Sequence, residues 1–351
     1  MLDAELEPGR ITGVEDGQTR ICAAHAEPPI IFAMAKSAAL EAPRGQARLR
    51  RTRAVREGLE AYAFLAPALL LLIVFLLLPA FWVFGLSLFR WDLISSNPDY
   101  VGLANFDRLL GRDELFRKSV FQTVYFVAVT VPVSMALGLL MAVLLNAKMP
   151  GRDFMRTAIF TPYVMPLVAT VIIWSFMFHP YAGVFNAVLN AFHLPKLNWL
   201  DNPRTVLPAI IFYSVWQHTG YNVVIFLAGL ANIPPELQEA ARVDGARAWS
   251  RFWRLTWPLL APTTYFVLLV SIIGSFKVIV PILVFTGGVG GTGSGGGPDN
   301  AAETIGYYLY TQAFYSFHAG YAGAISVLLF LIILAVTFVQ MGVLSRRVFY
   351  S

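Results

Sequence analysis

The chain has 351 residues, of which 57% are hydrophobic and 13% charged, against roughly 45–50% and about 25% in soluble domains. With a mean hydropathy of +0.62, it has too little polar surface to cover a soluble core and is too apolar for disorder or collagen, which leaves a polytopic membrane protein. The one cysteine, Cys22, and five scattered histidines exclude an intramolecular disulfide and a thiolate metal site, and the net charge of +5 is read first as membrane topology rather than nucleic-acid binding.

Residues 1–56 contain no span. They are expected to form a disordered cytoplasmic tail, ending in a basic flank with six arginines over 44–56. The apolar run after these arginines is too long for a signal peptide and lacks a small-residue cleavage site; Met34 offers a second possible start. The remainder, 57–351, is expected to be one all-α domain. Six apolar stretches, near 61–88, 119–146, 157–178, 205–230, 259–285 and 319–344, are each long enough for the roughly 20 helical residues that cross a bilayer. They are continuously apolar and do not alternate as barrel strands do. Five lack any Asp, Glu, Lys or Arg, and the fifth contains Lys277. Internal prolines such as Pro132, Pro166 and Pro281 are tolerable where neighbouring helices satisfy the freed carbonyls. With the N-terminus inside, the cytoplasmic segments hold 15 Lys/Arg and the outer loops 7, so both termini are expected in the cytoplasm.

Polar residues inside the spans are candidates either for a substrate path or for ties between helices. Gln217 and Asn222 in the fourth span have amides that suit sugar hydroxyls or a neighbouring helix. A lysine near a helix centre costs roughly 2.5–3.5 kcal/mol; Lys277 lies nearer the outer end of the fifth span, where snorkelling or a carbonyl partner would reduce that cost, and reads either as a structural hydrogen-bonded lysine or as a polar lining of the path. His218 has no intramembrane acid to work with, so a proton relay is not expected.

The loop 232–258 between the fourth and fifth spans is the most informative segment. Pro234 and Pro235 suit a helix start, with Glu236 and Glu239 near its positive end. Gly245 suits the position just past a helix end. A second short helix is expected to stop before Pro258. On it Trp249, Phe252, Trp253 and Trp257 share one face, and Arg247, Arg251 and Arg254 the other, as in a helix lying at a membrane interface. The residues alone leave two readings, a plain surface hairpin or a docking element for a cytoplasmic partner. The glycine-rich run from Gly287 to Gly297 has no lysine, and no Gly-Lys dipeptide occurs anywhere, so no phosphate-binding Walker A loop is possible; a flexible outer loop is expected there.

Glu239-Ala240-Ala241, three residues, Gly245, nine residues, Leu255, one residue, Trp257-Pro258 resembles the EAA motif of binding-protein-dependent ABC importer permeases. Leu255 and Trp257 depart from the pattern's Ile and Leu but stay apolar. Ile233-Pro234-Pro235-Glu236-Leu237, Val243-Asp244-Gly245-Ala246, Phe64-Leu65-Ala66-Pro67-Ala68, Thr286-Gly287-Gly288 and Glu303-Thr304 resemble the carbohydrate-importer branch. The resemblance implies a six-helix permease with a cytoplasmic coupling-helix elbow. Glu239, Ala240, Ala241, Asp244, Gly245 and Pro258 would dock a separate ATPase, whose closure on ATP drives alternating access. It also implies a second, different permease as partner, two ATP-binding subunits, an extracytoplasmic solute-binding protein, and residence in a bacterial or archaeal plasma membrane. ATP would bind the partner, so this chain would carry no cofactor and no enzymatic activity. The substrate would be a sugar, or a related polar solute such as glycerol phosphate. A self-contained secondary transporter would need intramembrane acids or internal repeats, and a membrane enzyme a cluster of catalytic or metal-binding residues; the sequence offers neither.

Overall fold

The computed structural model describes residue 57 and residues 60–92, 94–95, 97–147, 149–287 and 295–344. The expected tail, most of the glycine-rich run and the C-terminal arginines lie outside the described residues. The chain divides into two compact units, Met1–Ile73 and Val74–Ser351. The described part of the first is the opening of the first helix, which continues into the second; the second contains all the other elements.

The first helix, α1 (Glu60–Leu86), is apolar on every side, and none of its most apolar window is buried within the chain. A two-stranded antiparallel ribbon follows, β1 (Phe89–Arg90) with β2 (Asp99–Tyr100), then the short α2 (Ala104–Gly111). The long helix α3 (Glu114–Asn146) has 33 residues, about 50 Å at 1.5 Å per residue. The Asp113 carboxylate caps it by accepting from the Phe116 amide at 2.8 Å.

The third apolar stretch is not the single straight span expected. It forms α4 (Arg152–Val164) and α5 (Leu167–Met177), bent by 98°. Pro166 is the cause: it drives the preceding residue out of the helical region, and Met165 sits at φ −64°, ψ 150°. After the short α6 (Val184–Ala191) comes α7 (Val206–Ala231), a continuous 26-residue helix. It is long enough to span, but Ser214, Gln217, His218 and Asn222 make it more polar than the other long helices. It is the most enclosed helix, packed chiefly on α3 and also on α4 and α10. Small residues permit the approach: a Cβ at Gly138 would lie 2.6 Å from the Asn222 Cβ, and one at Gly220 would lie 2.3 Å from the Ile159 carbonyl oxygen.

The loop after α7 holds α8 (Pro235–Val243) and α9 (Ala248–Leu259). The fifth stretch is also broken. α9 meets α10 (Ala261–Phe276) at a 66° bend, and α10 ends one residue before Lys277, which leads into α11 (Val280–Phe285). Pro262 and Pro281 each stand in the first turn of the helix that follows a break, where a missing N–H costs nothing. Lys277 is thus exposed at a helix junction, towards the end of the fifth stretch. The chain closes with α12 (Ile305–Phe314) and α13 (Ala319–Leu344). α1, α3 and α13 are each long and apolar enough to span, and the two bent pairs qualify if each counts as one span.

The main core centres on Phe126, Val131, Val171, Ile210, Tyr213 and Ile325. Trp174 is ringed by Phe178, Phe185, Phe212, Tyr213 and Trp216 at centroid distances of 4.9–5.7 Å.

Candidate functional site

Two polar constellations lie at opposite ends of α3. Beside the end at Asn146 stands the α8–α9 elbow. Pro234 is extended (φ −55°, ψ 128°) and Pro235 opens α8, with Glu236 in its first turn. The helix ends in a Schellman turn. The Gly245 amide donates to the Arg242 carbonyl and the Ala246 amide to the Ala241 carbonyl, both at 3.0 Å. This turn requires the positive φ of +74° found at Gly245, which glycine adopts without penalty. Glu239, Ala240, Asp244 and Gly245 are exposed, Ala241 is half-buried, and the Gln238 side chain fastens α8 to α9 by donating to the Thr256 hydroxyl at 3.1 Å.

The second helix does not stop before Pro258. Residues Phe252–Thr256 form a π-helical turn, with the Trp257 amide donating to the Phe252 carbonyl, and the helix runs on to Leu259. The wider turn makes room for the proline ring, which would strike the carbonyl four residues back in an α-helix. The expected aromatic face forms. Trp249–Trp253, Phe252–Trp253 and Trp253–Trp257 are in contact at 5.6, 5.2 and 5.8 Å. A groove of about 600 Å³ between the elbow and α3 is lined by Asn146, Gln238, Glu239, Arg242, Arg251 and Thr256.

The three path candidates are not brought together. Gln217 and Asn222 are both buried on α7. Asn222 donates to the Ser134 hydroxyl on α3 at 3.3 Å, while its carbonyl oxygen is buried without a hydrogen-bond partner. Lys277 lies at the α10–α11 junction, its backbone against the start of α12. His218 is bonded through Nδ1 to the Ser214 carbonyl at 2.7 Å.

The other end of α3 carries a constellation that the sequence does not announce. The Asp113 carboxylate accepts from the Tyr308 hydroxyl at 2.6 Å and also from Tyr321, so the cap of α3 is tied to α12 and α13. Burial alone would raise the Asp113 pKa, but the hydroxyls of Tyr308 and Tyr321 and the Phe116 amide outweigh it and hold the carboxyl below its ordinary value. One turn on, Lys118 donates to the Asp299 carbonyl, Gln122 donates to the Asn300 carbonyl at 2.8 Å, and the Thr123 hydroxyl accepts from the Ile305 amide at 2.9 Å. Glu303 is buried beside Gly296. Desolvation lifts its pKa to about 7 despite the nearby Lys118. Asp113 before an apolar run is legible as a cap. Its tyrosines are 195 and 208 residues away, and no local signal links them.

A bundle of apolar helices, two of the spans broken and a double-helix elbow between spans, is the architecture of a membrane permease. The model of the family "Binding-protein-dependent transport system inner membrane component" matches residues 134–350. The chain is 35% identical over 290 residues to the sn-glycerol-3-phosphate transport system permease protein UgpA of Agrobacterium fabrum, covering 83% of this chain and 96% of that one. It is 33% identical over 288 residues to the trehalose/maltose transport system permease protein MalF of Thermococcus litoralis, covering 82% and 94%. The fold is similar to that of a bacterial alginate ABC transporter solved in complex with alginate pentasaccharide-bound periplasmic protein, with TM-score 0.69 at 21% identity, covering 82% of this chain and 94% of that one. The chain belongs to the family of inner membrane components of binding-protein-dependent transport systems: it is a multi-pass permease subunit of an ABC importer.

Proposed function

We propose that this permease imports a sugar or a similarly polar solute by alternating access, driven by a separate cytoplasmic ATPase that docks on the α8–α9 elbow. The observation that carries the docking reading is the elbow itself. Glu239, Ala240 and Asp244 are exposed beside the Gly245 turn. The acid suits an arginine or lysine of the ATPase, and the small residues allow close approach. Gln238–Thr256 and the Schellman turn make α8 and α9 one rigid piece, so a push on Glu239 is transmitted through Pro258 to α10.

The substrate class is supported by the names of the relatives, which are permeases for glycerol phosphate and for trehalose and maltose. A second permease, two ATPase subunits and an external binding protein complete the assembly, and the elbow faces the cytoplasm together with both termini. Gln217 and Lys277 are the residues we assign to the substrate path. Asn222 is assigned to it through its unpaired carbonyl oxygen, with its amide engaged by Ser134. The test is uptake of labelled trehalose, maltose and glycerol 3-phosphate into vesicles holding the permeases, with and without ATPase and binding protein. Uptake of at least one solute only with both is expected. Transport that persists without the ATPase overturns the reading.

A further inference from the structure

Behind the elbow lies a second groove, of about 660 Å³ and almost entirely apolar. Its wall on α3 runs from Pro132 to Val143, roughly 16 Å along a helix axis. That is about half of the roughly 30 Å hydrocarbon core, the depth of one leaflet. The facing wall is the aromatic stripe of α9, with Trp249, Trp253 and Trp257. Trp249 is 73% exposed although it stands at the end of an apolar span. Tryptophans in this position mark the boundary between hydrocarbon and headgroups.

Arg251 on α9 is half-buried and, among the described residues, has no ion pair or side-chain hydrogen bond. Arg251 lines the neighbouring polar groove, which meets the apolar one at Val143, Ala248 and Phe252. The other charges lining that polar groove are Glu239 and Arg242, so its lip is net positive. An apolar slot one leaflet deep, rimmed by tryptophan and meeting the groove of Arg251 at its edge, matches a ligand with an apolar chain and an anionic head.

We infer that this groove holds an acyl chain of an anionic phospholipid, whose phosphate lies against Arg251 where the two grooves join. The inference rests on the docking reading only for the choice of the cytoplasmic leaflet. A lipid bound there would brace α9 against α3 and couple membrane composition to movement of the elbow.

The test uses the assembled transporter in phosphatidylcholine nanodiscs doped with brominated phosphatidylglycerol or, separately, brominated phosphatidylcholine. Tryptophan quenching is measured for the parent and for a W249F/W253F/W257F variant, and the difference isolates the stripe. The brominated anionic lipid should quench the stripe at lower mole fraction than the zwitterionic one. Arg251→Gln should reduce that preference roughly fivefold, and Arg254→Gln, at a position that lines neither groove, should leave it unchanged. Ala136→Phe, which fills the slot and leaves the arginines in place, should abolish quenching by both lipids. Equal quenching by the two headgroups, or an unchanged preference in Arg251→Gln, overturns the inference. So does absence of stripe quenching in the assembled transporter, which would mean that another subunit covers the groove. ATP-driven uptake is followed in parallel. Selective quenching without ATPase-dependent uptake would remove the docking reading and leave the lipid site standing; the reverse result would do the opposite.

Discussion

Gly245 has open space around the position of a Cβ, yet its φ is +74°. A side chain there meets backbone strain and not a steric wall. Gly245→Val is expected to cost about 1–2 kcal/mol locally and to unmake the Schellman turn. ATPase capture and substrate-stimulated hydrolysis should fall while membrane insertion is kept. Gly245→Asn, which tolerates the left-handed region better, should fall in between. Pull-down stoichiometry and hydrolysis rate on purified complexes check this, and equal behaviour of all three proteins would remove the turn from the docking mechanism. Glu303 makes a prediction of opposite character. Its folded pKa of about 7 lies above the ordinary 4.5. The folded chain therefore keeps a proton that the unfolded chain has released, and stability falls as pH rises through this window. Glu303→Gln should leave the thermal midpoint unchanged near pH 4.5 and raise it at pH 8. The gain there has an upper bound on the order of 3 kcal/mol. A midpoint difference that does not grow with pH would show that Glu303 is not titrating in the fold.

Between elements, the glycines separate those that permit contact from those that do not. Gly220→Ala on α7 would place a methyl group 2.3 Å from the Ile159 carbonyl of α4, and neither backbone can yield without moving a helix. Overpacking of this kind costs about 1–3 kcal/mol. Gly274→Ala on α10 meets nothing within 4 Å and should be neutral or stabilising by about 0.5–1 kcal/mol. Thermal midpoints of the two variants check the contrast; reversed signs would refute the α4–α7 crossing. The elements themselves were largely legible in the sequence. Composition and run length announced the helices, the EAA spacing announced the elbow, and Pro234-Pro235 and Gly245 marked the limits of its first helix. The breaks are not legible in this way, because hydropathy counts residues and is blind to where a proline redirects the chain. Pro166 is tolerable inside a span by sequence and instead bends it by 98°. Pro258 reads as a stop in the sequence and is absorbed by a π turn, which has no sequence signature of its own. Of the path candidates, nothing local to Asn222 could reveal that Ser134 would take its amide.

Across the whole molecule, the polar ties are distributed unevenly along α3. At the Asp113 end, Tyr308, Tyr321, Asp299, Asn300 and Ile305 are all bonded to α3 or its cap. Thr304 is bonded in turn to the Val278 carbonyl at the α10–α11 junction, and the Asn105 amide of α2 reaches the carbonyls of Ser87 and Phe89. At the Asn146 end, among the described residues, the elbow's side-chain bond is Gln238–Thr256, internal to the elbow itself. Elements held mainly by apolar contact slide more readily than elements held by directional bonds. One end of α3 is therefore held by directional bonds, and on the proposed docking the other end is the one that would follow a push from the elbow. Local opening free energies should follow the same gradient. Hydrogen exchange on the purified complex is expected to be fast for the amides of α8 and the first turn of α9, and slow for residues 300–308 and the start of α3. ATP should slow exchange in the elbow while leaving the Asp113 end unchanged. Equal protection at both ends, or an ATP response confined to the Asp113 end, would mean that the movement enters the bundle by another route.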